Sequence, residues 1–190
     1  MSSDELSTLL QRKDANIRKV IFEKYYGKLF PVARRYSKNH QQAEELFNTA
    51  FNNGLNKLLA HRQLKSVQPA EFLEKEFIGE CVTFIKNIRS EYYVSSTVHA
   101  SDNAPKNYNL FENNEWIDFN HVDTELLIKS LQQLVPSQRL VFNLHVVDGL
   151  SIRDAASMLE SSEETVKSNL EKARYNLQKN IEKNLKSIKA

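Results

Sequence analysis

The chain is short of cysteine, tryptophan, glycine and proline: among 190 residues it has one, one, four and four of them. A lone Cys81 excludes an internal disulfide and fits a reducing compartment. So few helix breakers, set among much Leu, Lys, Glu, Gln and Asn, predict a mostly helical protein. No apolar run reaches the roughly 20 residues that a membrane-spanning helix needs. The start, "MSSDELSTLLQRKD", lacks a basic stretch followed by an apolar core, which argues against a signal peptide. The expectation is a soluble cytoplasmic protein without membrane insertion. No glycine-rich phosphate loop is present. His40, His61, His99, His121 and His145 are scattered without His-x-x-x-His spacing. The sequence therefore offers no metal ligands, no cofactor site and no catalytic residues, and an enzyme has no residues to support it.

An excess of one charge sign is missing too, since the formal net charge is +2. Its distribution says more. Residues 12–38 are rich in Lys and Arg, residues 102–125 are acidic with only Lys106 as counterweight, and the tail from Lys167 is basic again. Hydrophobic residues make up 41% and charged residues 26%, a globular composition with enough apolar surface for one domain or two small ones.

Periodicity then divides the chain. In residues 17–37, Val20, Ile21, Tyr25, Leu29, Val32 and Tyr36 recur at helical spacing, with Pro31 expected to kink or loosen the helix. A second helix fits "QQAEELFNTAFNNGLNKLLAHR", with Asn39 as N-cap and Glu44 and Glu45 near the positive end of the dipole. A third starts near Pro69 and carries Leu73, Phe77, Cys81, Ile85 and Ile88 on one stripe. On that stripe Cys81 reads as core, not nucleophile. Residues 1–93 are thus a first helical bundle. Residues 94–122 have no sustained period and many Ser, Asn and Asp, so they read as a flexible linker. The Leu110, Phe111, Trp116, Ile117 and Phe119 within it suit docking, either on the chain's own domains or on a partner.

Residues 123–190 form a second domain. "TELLIKSLQQL" is amphipathic, Pro136 suits the first turn of the next helix, and Asp148-Gly149 ends it with Gly in the left-handed position. Ser151 caps "SIRDAASML" together with Asp154. After "ESS" a longer helix begins, with a Ser161–Glu164 capping box or Ser162 as the alternative cap. Its Val166, Leu170, Ala173, Leu177 and Ile181 share one stripe, while Glu164, Thr165, Ser168, Lys172 and Tyr175 face away. A short helix, a tight turn and a second helix with a polar outer face make a helix-turn-helix, whose second helix enters the DNA major groove. The competing interpretation is a helical hairpin with a solvated face.

"LQQLVPSQRLVFNLHVVDGLSIRDAASMLESSEETVKSNLEKARYNLQ" resembles region 4 of the extracytoplasmic-function sigma factors of RNA polymerase. Leu134 with Pro136, Gln138-Arg139, Gly149-Leu150-Ser151, Ala155, Leu159, Ser162, Thr165 to Ser168, Leu170 and Ala173-Arg174 carry the likeness. "FEKYYGKLFPVARRYSKNHQQAEELFNTAF" is similar to region 2 of the same family. The fold implied is all-α: two helical domains joined by a flexible linker, the second containing a helix-turn-helix.

The resemblance implies a promoter-specific initiation factor without enzymatic activity. Its partners would be the RNA polymerase core, double-stranded and single-stranded promoter DNA, and an anti-sigma factor. Carried over by position, Glu44, Glu45, Leu46 and Asn48 would bind polymerase. Arg62 and Lys65, in the loop before Pro69, would bind the minus-ten strand. Glu163, Glu164, Thr165, Lys167, Ser168, Asn169 and Lys172 would lie on the helix that reads the minus-thirty-five element. The chain departs from the family in several places. Glu160 and Ser161 stand where Gly and an apolar residue are usual, and Asn169, Glu171 and Lys172 replace commoner Arg, His and Arg. Asn48-Thr49 replaces a Gln-Glu pair. Because Glu163 and Glu164 repel phosphates, a second reading stays open: a sigma-like interaction module that binds polymerase or an antagonist without reading promoters. A stand-alone dimeric regulator would need a dimer surface, and none is visible in the sequence.

Overall fold

The computed structural model describes residues 16–60, 69–88 and 122–189. The loop holding Arg62 and Lys65, and all but the last residue of the expected linker, lie outside the described residues. Within them the chain is all-α: α1 (Ile17–Tyr36), α2 (His40–Ala60), α3 (Pro69–Asn87), α4 (Thr124–Gln132), α5 (Pro136–Phe142), α6 (Ile152–Leu159) and α7 (Glu163–Lys189), with a π-helical turn, Asn143–Val147, continuing α5.

Local signals set most boundaries. Asn39 accepts from the backbone N–H of Gln42 at 2.8 Å, the N-cap expected for α2. Pro31 lies inside α1, which runs through it to Tyr36. Ile21, Tyr25, Leu29 and Tyr36 are buried as the periodicity predicts, whereas Val20 and Val32 are only half-buried. Leu73, Phe77, Cys81 and Ile85 fill the inner stripe of α3. Burial pushes the Cys81 thiol well above its ordinary range, which suits core rather than chemistry.

An aromatic row runs between α1 and α2. Phe22, Tyr26 and Phe30 stand one helical turn apart, and each packs edge-on against Phe47, at 5.9, 5.1 and 5.8 Å between ring centroids. Edge-to-face contacts of this kind add about 0.5–1.5 kcal/mol each beyond area burial.

The helices of both halves share a core. One apolar cluster contains Tyr36, Phe77 and Cys81 from the first half and Leu140, Leu144, Ala155, Leu159, Val166 and Leu170 from the second. A smaller cluster, Leu131, Leu134, Ala173, Leu177 and Ile181, joins α4 to α7. The polar seam between the halves centres on Asp148, which accepts from the Arg35 guanidinium and from the Tyr36 hydroxyl at 2.6 Å. Burial and the nearby Asp148 charge raise the Tyr36 hydroxyl well above its usual pKa.

The π turn departs from the single helix expected over residues 136–147. Asp148 N–H donates to the Asn143 carbonyl, five residues back, at 2.8 Å. This spacing stacks residues 143 and 148 one turn above the other, which α geometry would not do. Both side chains then meet Arg35.

Candidate nucleic-acid interface

The last two helices are built from their caps. Ser151 accepts from Asp154 N–H at 3.1 Å, and its hydroxyl donates to the Asp154 carboxylate at 2.6 Å. This is the Ser151 cap expected at the start of α6, with the Asp154 carboxylate bonded to the capping hydroxyl. The helix ends on Glu160 in the left-handed conformation (φ 53°), with Ser161 N–H bonded to the Ala156 carbonyl at 3.0 Å. This is a Schellman ending with a side chain where Gly costs least. Ser162, not Ser161, caps α7: Thr165 N–H donates to its hydroxyl at 3.1 Å. Three residues, Glu160 to Ser162, therefore turn the chain between the helices.

Ala155 and Ala156 are buried, so α7 packs close on α6 through Val166 and Leu170. The opposite face of α7 is free. Glu163, Glu164, Thr165, Lys167 and Ser168 are exposed, and Asn169 and Lys172 are half-exposed. Of these seven sequence-predicted residues, Glu164, Thr165, Ser168 and Lys172 share the outer face of α7, and Glu163, Lys167 and Asn169 lie on its flanks. Two are partly pre-positioned. The Thr165 and Ser162 hydroxyls lie 2.8 Å apart, and Asn169 donates back to the Thr165 carbonyl at 3.1 Å. Glu163 and Glu164 favour the positive end of the helix dipole, but they present negative charge to any phosphate. Arg153, exposed in the first turn of α6, was not singled out from the sequence. The rule that the first helix of this motif crosses the DNA backbone would have drawn attention to it.

The four residues carried over as polymerase-binding are separated. Glu44, Glu45 and Asn48 are exposed on α2, with Glu44 beside His40 Nε2 at 3.2 Å. Leu46 is fully buried and lies in the core beneath them. The His40 ring also meets Phe30 at 5.7 Å, so the carboxylates adjoin the aromatic row. Phe22 and Tyr26 in that row are 40% and 41% exposed.

Among the described residues, no group of His, Cys, Asp and Glu is placed to hold a metal ion, and no helix is long and apolar enough to cross a membrane.

A capped helix-turn-helix with an unobstructed polar reading face defines a DNA-binding domain. Residues 124–177 match the family model described as sigma-70, region 4. No curated protein sequence matches the chain.

Proposed function

We propose that the chain is a sigma factor of the extracytoplasmic-function type, which docks on core RNA polymerase and directs it to promoters. The observation that carries this reading is the accessible polar face of α7 within the region-4 match. Thr165, Ser168 and Asn169 offer short donors and acceptors suited to base edges in the major groove. Lys167 and Lys172 flank them as phosphate contacts, and Arg153 serves the backbone from α6. In the first bundle, Glu44, Glu45 and Asn48 form the docking face, with Leu46 supporting it from beneath. The exposed rings of Phe22 and Tyr26 extend that face, because large apolar groups rimmed by polar ones suit protein association. Arg62 and Lys65 bind the displaced minus-ten strand. Promoter opening by capture of unstacked bases makes and breaks no covalent bond. An anti-sigma antagonist that masks these faces belongs to the same proposal.

The exposed Glu163 and Glu164 favour the second reading, an interaction module that has stopped reading promoters. In vitro transcription with purified core polymerase on a genomic promoter library separates the two. Promoter-dependent transcripts that vanish with the Lys167→Glu, Lys172→Glu double variant, while core association persists, support the sigma factor. Core association with no transcript from any template leaves only the module.

A further inference from the structure

We propose that the N-terminal part of α7 reads amino groups in the major groove, with Asn169 selecting adenine and Glu164 selecting cytosine at two nearby base pairs. This assignment rests on the DNA-binding reading above and adds the class of base that each side chain takes.

Only two groups donate hydrogen bonds from base edges in the major groove, the N6 amino group of adenine and the N4 amino group of cytosine. Guanine and thymine present acceptors there, and guanine is commonly taken by Arg or Lys. In a helix-turn-helix the N-terminal residues of the second helix meet the bases. At that end of α7, Glu163, Glu164, Thr165, Lys167 and Ser168 are exposed and Asn169 is half-exposed. Glu164 and Ser168 stack one turn apart on the outer face, and Thr165 and Asn169 stack beside them. Lys167 lies on the flank opposite Asn169. The part of the helix that faces the bases is therefore rich in acceptors.

Asn169 is oriented before any DNA arrives. Its Nδ2 donates to the Thr165 carbonyl at 3.1 Å. Only the amino side of an amide can face a carbonyl, so Oδ1 and the second Nδ2 hydrogen are left free. One acceptor and one donor match adenine, whose N6 donates and whose N7 accepts. They do not match guanine, which offers two acceptors. The turn that carries Asn169 is itself fixed by the N-cap, since Ser162 accepts from Thr165 N–H at 3.1 Å and its hydroxyl lies 2.8 Å from that of Thr165.

The Glu164 carboxylate has no hydrogen bond or ion pair with a described residue. An acid in the first turn answers the helix dipole, and Glu163 already does so from the flank. On the outer face an acid meets the duplex, where it repels phosphates. A base-edge amino group offsets that repulsion, and the N4 amino group of cytosine is the usual partner of a carboxylate. Glu164 and Asn169 are five residues apart, about 7.5 Å along the helix. That is about two base-pair steps at about 3.4 Å each.

The test sequences the duplexes retained by the full chain, alone and assembled with core RNA polymerase, from a library randomised over the minus-thirty-five element. The unmodified chain should enrich A at one position and C at another, about two base pairs away, each at least about 5-fold over the other bases. Asn169→Arg should turn the A position to G and leave C in place. Glu164→Gln should flatten the C position and leave A in place. Altered duplexes give a check that needs no folded variant. Purine, which lacks the N6 amino group, in place of the selected adenine should weaken binding of the unmodified chain at least about 5-fold, and N4-methylcytosine in place of the selected cytosine should do the same. Asn169→Ala should be insensitive to the first replacement and Glu164→Gln to the second. A preference for G or T at the positions these variants alter, or undiminished binding to the altered duplexes, overturns the proposal. If no duplex is enriched in either form, the DNA-binding reading fails and this proposal falls with it. Enrichment without the A and C preferences leaves that reading intact and sinks this proposal alone.

Discussion

Arg139 donates from Nε to the Tyr36 carbonyl at 2.8 Å while its Nη1 donates to the carbonyls of Gln132 and Leu134 at 3.0 and 2.8 Å. One guanidinium, 1% exposed, thus sits over the C-terminal ends of both α1 and α4. Both ends carry partial negative charge from unpaired carbonyls, and a buried cation between them satisfies each. A carboxylate could not take this place, and the single point charge of Lys could not reach all three acceptors.

Arg139→Met keeps much of the volume and removes every donor. It takes this donor from three carbonyls, and leaving a buried acceptor unsatisfied costs about 1–3 kcal/mol. Urea unfolding followed by circular dichroism should show the midpoint falling accordingly with an unchanged slope. Arg139→Lys should recover only part of the loss.

Glu160 is the only non-glycine residue with positive φ among the described residues. Holding an L side chain there costs about 1–2 kcal/mol, and the ion pair with Lys86, 80% exposed on the Glu160 side, returns less than about 1 kcal/mol. Glu160→Gly should therefore raise the unfolding free energy by about 0.5–1 kcal/mol in the same urea assay. A loss of stability would mean that the Lys86 contact outweighs the backbone strain.

The sequence carried the caps and stripes because they are local. Asn39, Ser151 and the run Val166–Leu170–Ala173–Leu177 announce themselves within one or two turns, and the reading face of α7 follows from them by subtraction. The alternative caps Ser161 and Ser162 differ by one residue, a choice that depends on backbone geometry at Glu160. The polar seam between the halves was illegible for the opposite reason. Gln132, Asn143 and Asp148 meet Arg34, Arg35 and Tyr36 across 98 to 113 residues, and no periodicity encodes pairing over that distance. The π turn that aligns Asn143 with Asp148 has no distinctive residue pattern. Asp148 was legible only as half of a turn with Gly149.

Between α2 and α3, Glu80 accepts from Lys57 at 2.7 Å and from Asn53 at 2.8 Å. Burial works to raise its pKa, but the bonds to Lys57 and Asn53 more than offset this and hold it below the ordinary 4.5. A depressed folded-state pKa means stability that is present above about 4.5 and lost as pH falls through the folded value. Titration of the Glu80 side chain by NMR should give a midpoint below 4.5. Lys57→Met should raise that midpoint and flatten the decline of unfolding free energy below pH about 4.5.

Under the proposed DNA-binding role, each side chain on the outer part of α7 should have its own signature in duplex binding. Lys167→Ala, Lys172→Ala and Arg153→Ala should each weaken binding about equally on all sequences and lower the slope of log affinity against log salt by about 0.9, one phosphate apiece. Ser168→Ala and Asn169→Ala should leave the salt slope unchanged and cost about 1–3 kcal/mol of preference for the cognate base pair at one position. Glu163→Gln with Glu164→Gln should strengthen non-specific binding, since two repelling charges leave the groove, at the expense of some helix stability at the α7 N-terminus. These measurements use fluorescence anisotropy of a labelled duplex over a salt series. A uniform loss from Ser168→Ala, or an unchanged slope for all three basic variants, would mean that another surface of the domain meets the DNA.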